Sequence, residues 1–374
     1  MRMKLLEATA LVATLGISAC STSNGTPHAD VPRCVPSCNG TCVSAGCLTT
    51  LAQRQNQPSS LTVTGTSVYW TNLAGCAADG SACSGTVAKV SLDGSGAMSL
   101  ATGQSLPSAI VASDAGVYWV DDNASGTVKT CALAGCPIAP ISLATGQDNP
   151  DSIAVDDHYV YWTNAGTGGS EGTGTVMKAP LGGGKATTLA SGQNFPASIV
   201  VQGEFVYWAN RGIGSSAGSG GTIVKCTLPD CDGSDGGDGG AAVTLLASNQ
   251  NAASLAVEGE SLYWTNAGPP SFSGTVMKCA LPDCAPNGGK ALTTLAAEQS
   301  LPYGIAVDDT YVYWVTEGGN VMRCKLGGCP IVDGKVPPLV TGQNVSAGIA
   351  VHDKSIYWTN FADPGSVMKL TPNE

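Results

Sequence analysis

The chain has 374 residues, with 28 acidic against 17 basic side chains, a net charge of −11 and only 12% charged residues in all. So acidic and sparsely charged a chain lacks the basic stripes that phosphate neutralisation needs, which argues against nucleic acid and equally against electrostatic docking on anionic lipid. Its 49 glycines and the scarcity of helical periodicity point to an all-β chain of short strands and turns.

Residues 1–19 read as a lipoprotein signal peptide: Arg2 and Lys4 give a basic start, and the apolar run over 5–17 is too short to cross a bilayer. The run ends in "ISAC", which resembles a bacterial lipobox and so implies lipidation of Cys20; the alternative is an ordinary cleavage near Ala19, with Cys20 a structural thiol. Setting Cys20 aside from the 15 cysteines leaves an even number, suited to pairing in an oxidising compartment. Ser21 stands where an aspartate would signal inner-membrane retention, so the same resemblance implies an outer-membrane lipoprotein of the cell envelope, its periplasmic or surface face left open. Residues 20–33 read as a flexible tether that holds His28 as a solvated residue. In 34–47, "CVPSCNGTCVSAGC" forms a small disulfide-rich knob in which Cys34, Cys38, Cys42 and Cys47 allow three pairings.

Residues 48–374 carry a repeat. All seven tryptophans follow a tyrosine, at Trp70, Trp119, Trp162, Trp208, Trp264, Trp314 and Trp358, spaced by 43 to 56 residues. Each pair is preceded by a segment such as "LATGQDNPDSIAVDD" and followed by "SGTVMK" or a variant, then a turn. Every unit therefore reads as four short strands, and the period is that of propeller blades. The first three strands are apolar at adjacent positions, as sheets buried on both faces require. Tyr and Trp alternate along the second strand, so the two rings should fill the two interfaces of a blade. Burying one tryptophan removes roughly 200 Å² from water, at most about 5 kcal/mol.

The array begins with a fourth-strand segment, 48–52, and ends after a third strand, "GSVMK". Ring closure needs that offset: 48–52 can complete the last blade as its outer strand, giving a seven-bladed β-propeller without a raw edge. The combination resembles the YWTD, or class B, repeats of low-density lipoprotein receptors, on "YWTN" at Tyr69, Tyr161, Tyr263 and Tyr357, "YWVD" at Tyr118, "SGTVAKVSLDG" at Ser84 and "LPYGIAVDD" at Leu301. Two departures stand out. The motif aspartate is mostly asparagine here (Asn72, Asn164, Asn210, Asn266, Asn360), with Asp121 and Thr316 as exceptions, and the best-known members of that family have six blades.

A basic residue recurs on the third strand: Lys89, Lys129, Lys178, Lys225, Lys278, Arg323 and Lys369. Recurrence in every unit favours one repeated structural contact, with the amine reaching the Asn or Asp of a motif strand, over a ring of ligand-binding charges. Four C-x4-C pairs, Cys131/Cys136, Cys226/Cys231, Cys279/Cys284 and Cys324/Cys329, should pin the turn after the third strand as local disulfides, and Cys76 should pair with Cys83. Zinc-type spacing is absent, so no metal is expected there. "DCDGSDGGDGG", with Asp230, Asp232, Asp235 and Asp238, loosely suggests a calcium loop, but Ala241 stands where a calcium-loop glutamate would be needed, and a solvated loop is the expectation.

Chemistry is thinly supported. His158 and His352 both fall at the turn between first and second strands, and Asp156/Asp157 and Asp308/Asp309 recur there as turn formers. No nucleophile elbow, phosphate loop or paired-histidine motif occurs. The connections between second and third strands vary most, and a rigid scaffold with one rim of irregular loops is laid out for binding. The expectation is a lipid-anchored, non-catalytic binding or scaffold protein without cofactor, with a protein or carbohydrate ligand; the alternative is a lyase or hydrolase working at one mouth of the channel. Several convergent charged side chains at that mouth would favour the enzyme, and Gly, Ser and Ala would favour binding.

Overall fold

A computed structural model describes residues 38–74, 84–167, 171–212, 220–229, 231, 243–268, 274–281, 284 and 292–373, with no side-chain account of 345–347. The signal peptide 1–19, Cys20, the tether, Cys34, the Cys76/Cys83 pair, and Asp230, Asp232, Asp235 and Asp238 lie outside the described residues.

Seven antiparallel sheets make up the fold, six of four strands and one of five. Blade 3 shows the plan. Pro150–Val155 pairs with Tyr159–Asn164, that strand with Gly174–Pro180, and that one with the outer Thr187–Gln193. The innermost strands stand side by side around the axis, and that of blade 7, Val345–His352, lies next to that of blade 1, Pro58–Val63, so the ring is closed. The closing blade is built as the offset predicts. Its outer strand is Gly46–Gln55, paired with Gly365–Pro372 through Leu48↔Leu370, Thr49↔Lys369 and Ala52↔Val367. This strand starts before Leu48, and Thr41–Val43 pairs back on it as a fifth strand. The boundary expected between 34–47 and the propeller therefore falls inside a hairpin. A Cys38–Cys47 disulfide ties that hairpin, and Cys42 is disulfide-bonded too.

The core is seven inter-blade clusters rather than one central mass. Each joins the tyrosine of one blade to the tryptophan of the next: Tyr69 with Trp119, Tyr118 with Trp162, Tyr161 with Trp208, Tyr207 with Trp264, Tyr263 with Trp314, Tyr313 with Trp358, and Tyr357 with Trp70 across the closure. The period-2 alternation of a strand turns the two rings to opposite faces, which is why the dipeptide recurs. All seven indoles are fully buried.

A glutamine latches each interface. The indole Nε1 of each blade donates to a glutamine at the end of the outer strand of the preceding blade or just after it (Gln55, Gln104, Gln147, Gln193, Gln250, Gln299, Gln343), at 2.8 to 3.3 Å. The motif Asn72, Asn164, Asn210, Asn266 and Asn360 donate Nδ2 to the same oxygens at 2.9 to 3.2 Å. The residue before each glutamine is left-handed: Gly103, Gly146, Gly192 and Gly342 in four blades, Arg54, Asn249 and Glu298 in the others. That conformation turns the strand at its bulge so that the amide reaches the neighbouring blade, and glycine adopts it without strain.

A second close approach explains the glycine of "SGTV". A Cβ on Gly126, Gly174, Gly274 or Gly365 would strike the ring of the proline that opens the next inner strand: Pro150, Pro196, Pro302 or Pro58 respectively.

Candidate functional site

The two rims of the ring carry different chemistry. At one rim lie the turns between inner and second strands and those between third and outer strands. There Asp156 Oδ1 accepts the backbone N–H groups of His158 and Tyr159, both at 2.7 Å, and Oδ2 accepts the Tyr161 hydroxyl at 2.6 Å. Asp308 repeats the arrangement with Thr310, Tyr311 and Tyr313. These carboxylates form turns and anchor the core tyrosines. Burial and the neighbouring carboxylate push both phenols upward. His158 is exposed, and His352 lies 3.3 Å from Asp353. The two histidines sit in blades 3 and 7 and are not brought together.

The repeated basic residues make structural contacts, as expected, and Lys129 has the expected motif partner, but in four other blades the partner differs. Lys89 Nζ donates to Leu133 O at 2.8 Å, Lys278 to Leu326 O at 3.4 Å, Lys369 to Leu92 O at 3.1 Å, and Lys178 to Pro229 O. Each acceptor is a main-chain carbonyl in the turn of the next blade, not the motif Asn or Asp. Lys178, Lys225, Lys278 and Lys369 also lie over aromatic rings at 5.1 to 5.6 Å. Three of the four carbonyls sit inside C-x4-C loops closed by Cys131–Cys136, Cys226–Cys231 and Cys324–Cys329; Cys279–Cys284 closes the fourth loop of this kind. The disulfides thus fix the acceptors as well as the turns.

Lys129 is not in register with the others. It pairs with Trp119, whereas Lys89 pairs with Tyr69, and Thr130 occupies the lysine position opposite Tyr118. A one-residue offset moves a strand side chain to the opposite face. Lys129 therefore reaches Asp121 at 2.6 Å and Gln104 at 2.9 Å, supplying the donor that an aspartate in the motif position cannot.

At the other rim the second strands end and the inner strands begin. In six blades the residue following the motif strand (Leu73, Asp122, Ala165, Arg211, Ala267, Glu317) donates its N–H to the residue just before the inner strand of the same blade (Gln57, Leu106, Asn149, Phe195, Asn251, Leu301). These bonds tie the inner and second strands of a blade together at this rim. The first side chain after the opening residue is Ser59, Ser108, Asp151, Ala197, Ala253 or Tyr303, so small residues dominate with two exceptions. Asp122 of blade 2 and Asp151 of blade 3 interact electrostatically, as do Asp151 and Arg211 of blade 4. Burial, and then the charge of Asp151, push Asp122 up to about 6. Burial likewise pushes Asp151 upward while Arg211 lowers it. Leu106, Tyr303 and Phe361 are exposed at the same mouth. Sequence reading missed this asymmetric group, although Asp151 breaks the repeat at a position filled in most other blades by Ser or Ala. It also missed the glutamines, whose signal was their recurrence in every unit. Among the described residues no group of three His, Cys, Asp or Glu side chains is placed to hold a metal ion.

Solved structures share this architecture. The chain is similar to a hydrazine synthase structure from Kuenenia stuttgartiensis (15% identity, 85% of this chain and 97% of that one, TM-score 0.62). It is also similar to the WD40 β-propeller domain of Doa1 (13%, 86% and 96%, 0.58) and to the computationally designed Ika8 protein (15%, 86% and 98%, 0.53). At these identities the likeness establishes the fold, a seven-bladed β-propeller, and nothing of the chemistry. No protein-family pattern matches the chain, and no curated protein sequence does.

Proposed function

We propose that this is a lipid-anchored cell-envelope propeller, related to the YWTD repeats, that works as a non-catalytic binding or scaffold protein through the rim carrying its irregular loops. One observation carries the reading: most residues repeated in the blades are committed to packing and to turns, while the connections between second and third strands differ from blade to blade in length and sequence. Those connections run from 317–319 in blade 6 to 73–84 in blade 1 and 211–221 in blade 4. Irregular loops carried on a rigid ring are how binding surfaces are usually laid out. Cys20, outside the described residues, would carry the acyl chains.

The test replaces 211–221 in the full-length protein with the short blade 6 connection and compares envelope cross-links of the two forms. Loss of a specific cross-linked partner at unchanged thermal stability supports the reading. An identical cross-link pattern, after the same exchange in blade 1 as well, would refute it. For the anchor, labelled fatty acid should be incorporated by the native chain and not by Cys20→Ala.

A second reading, a lyase or hydrolase at the channel mouth, draws on Asp122, Asp151 and Arg211. A carboxyl pushed up to about 6 is suited to giving or taking a proton near neutral pH. Turnover of any glycan or ester substrate lost in both Asp122→Asn and Asp151→Asn, with the fold intact, would favour it.

A further inference from the structure

The ring symmetry fails at the outer edge of blade 6, and a groove opens there. In the six other blades the third-strand basic residue is paired with a residue of the outer strand: Lys89↔Met98, Lys129↔Ser142, Lys178↔Thr187, Lys225↔Thr244, Lys278↔Thr293 and Lys369↔Thr49. In blade 6 the outer strand is only Pro338–Val340, and its ladder covers Val321 and Met322 but stops short of Arg323. The sequence gives the reason. Pro337 and Pro338 stand where blades 3 and 5 carry two threonines, and proline has no N–H to extend the ladder.

A second absence compounds the first. Lys89, Lys178, Lys278 and Lys369 each reach a carbonyl in the turn joining third and outer strands of the next blade. For Arg323 the next blade is blade 7, whose third and outer strands come from distant parts of the chain and are joined by no turn. Arg323 therefore lies at 4.5 Å over the Tyr311 ring, half-buried, with no hydrogen-bond acceptor among the described residues. It lines an open groove of about 500 Å³ with Lys325, Pro330, Pro337, Pro338 and Leu339. No acidic residue lines it, although the chain as a whole is strongly acidic.

We propose that this groove binds a carboxylate-bearing ligand, with the carboxylate paired to the Arg323 guanidinium on Tyr311, Lys325 at the rim, and the ligand's apolar part against Pro330, Pro337, Pro338 and Leu339. A guanidinium held flat on an aromatic ring keeps its donor fork free for one planar, bidentate acceptor. A phosphate would call for more donors, and the prolines supply no N–H groups. The site is on the rim opposite the variable loops, so it stands or falls apart from the binding surface proposed above.

The test uses the folded full-length chain with 3-phenylpropionate, its uncharged amide and glucuronate as probes, followed by ligand-observed NMR and calorimetric titration. The expected result is saturable binding of a carboxylate probe, weakened at least about tenfold in the amide, in Arg323→Gln and by raised salt, with Lys354→Ala as an unaffected control. Glucuronate binding more tightly than phenylpropionate would support the site and assign a sugar acid as the carboxylate source; the reverse would support it and assign an apolar acid or peptide carboxylate. The double variant Pro337→Thr, Pro338→Thr should restore the outer strand, narrow the groove and abolish binding while the protein stays folded. Equal binding of acid and amide, native-like binding by Arg323→Gln, or no saturable binding of either acid would overturn the proposal.

Discussion

In blade 3 the outer strand Thr187–Gln193 runs along its neighbour, Lys178 is fixed to Pro229 O, and Gln193 receives both an indole and an asparagine from blade 4. In blade 6 the inner two strands are as fully buried, with Trp314 and Tyr313 in the same positions, yet the outer strand is a stub. Thr316 replaces the motif asparagine, and Arg323 has no neighbour to reach. The contrast separates two requirements. The axis-proximal half of a blade must mesh with both neighbours and tolerates little change; the peripheral half needs only to be covered, and it can be left open where the ring does not depend on it.

The largest test of that division removes the one peripheral strand on which closure depends. Deleting residues 46–55 leaves Gly365–Pro372 as a bare sheet edge and strips Gln55 from Trp70 and Asn72. The protein should lose more than about 10 °C in Tm and form oligomers on size-exclusion chromatography. A monomer of native Tm would mean the ring does not need this strand.

Next come the latches, read by urea denaturation. Gln193→Leu leaves two buried donors unpaired and should cost about 3 kcal/mol, whereas Gln299→Leu orphans only the Trp314 indole and should cost about half as much. Equal losses would show that the asparagine adds nothing to the latch. Lys178→Met should cost about 1 to 2 kcal/mol through its lost bond to Pro229 O, and Arg323→Met less than about 0.5 kcal/mol. A reversal of that order would contradict the account of blade 6.

The smallest effect concerns the mouth. Because the folded state raises the pKa of Asp122, the folded chain binds this proton more tightly than the unfolded one, so the contribution of this group to stability is most favourable below pH 4 and declines as pH rises to about 6. Asp122→Asn should therefore stabilise the protein at pH 7, on the order of 1 kcal/mol once solvent screening is allowed for, and leave it unchanged at pH 4. Stabilisation of equal size at both pH values would show that the carboxyl is not strained by its charge.

The fold was legible because its signals are local and repeated. Tyr-Trp pairs, turn cysteines, and the match of 48–52 to a missing strand all lie in plain order along the chain. What escaped sequence reading depends on how one repeat meets the next. The latch glutamine sits 15 residues before its tryptophan in most blades, but nothing in a single repeat shows that it crosses an interface. The offset of Lys129 was visible as one residue fewer after "GTV", and its meaning needs the pleat of the strand. Asp122, Asp151 and Arg211 come from three blades and meet only in the closed ring. At blade 6, "VPP" in place of "TT" was on the page, whereas the missing turn of blade 7 becomes a feature only when the two blades are neighbours.

Closure by a strand from the start of the array also sets a timetable. Synthesis delivers Gly46–Gln55 before any blade exists and Gly365–Pro372 only after six are complete. Thr50 and Met368, side by side in the finished sheet, are 318 residues apart along the chain. Neighbouring blades can zip up in succession from contacts close in sequence, but the final one has to recapture a segment made long before, at the entropic cost of the longest loop in the molecule. Until then the molecule is an open arc with two unsatisfied ends, and that interval is when a chaperone or a second copy of the chain could seize it.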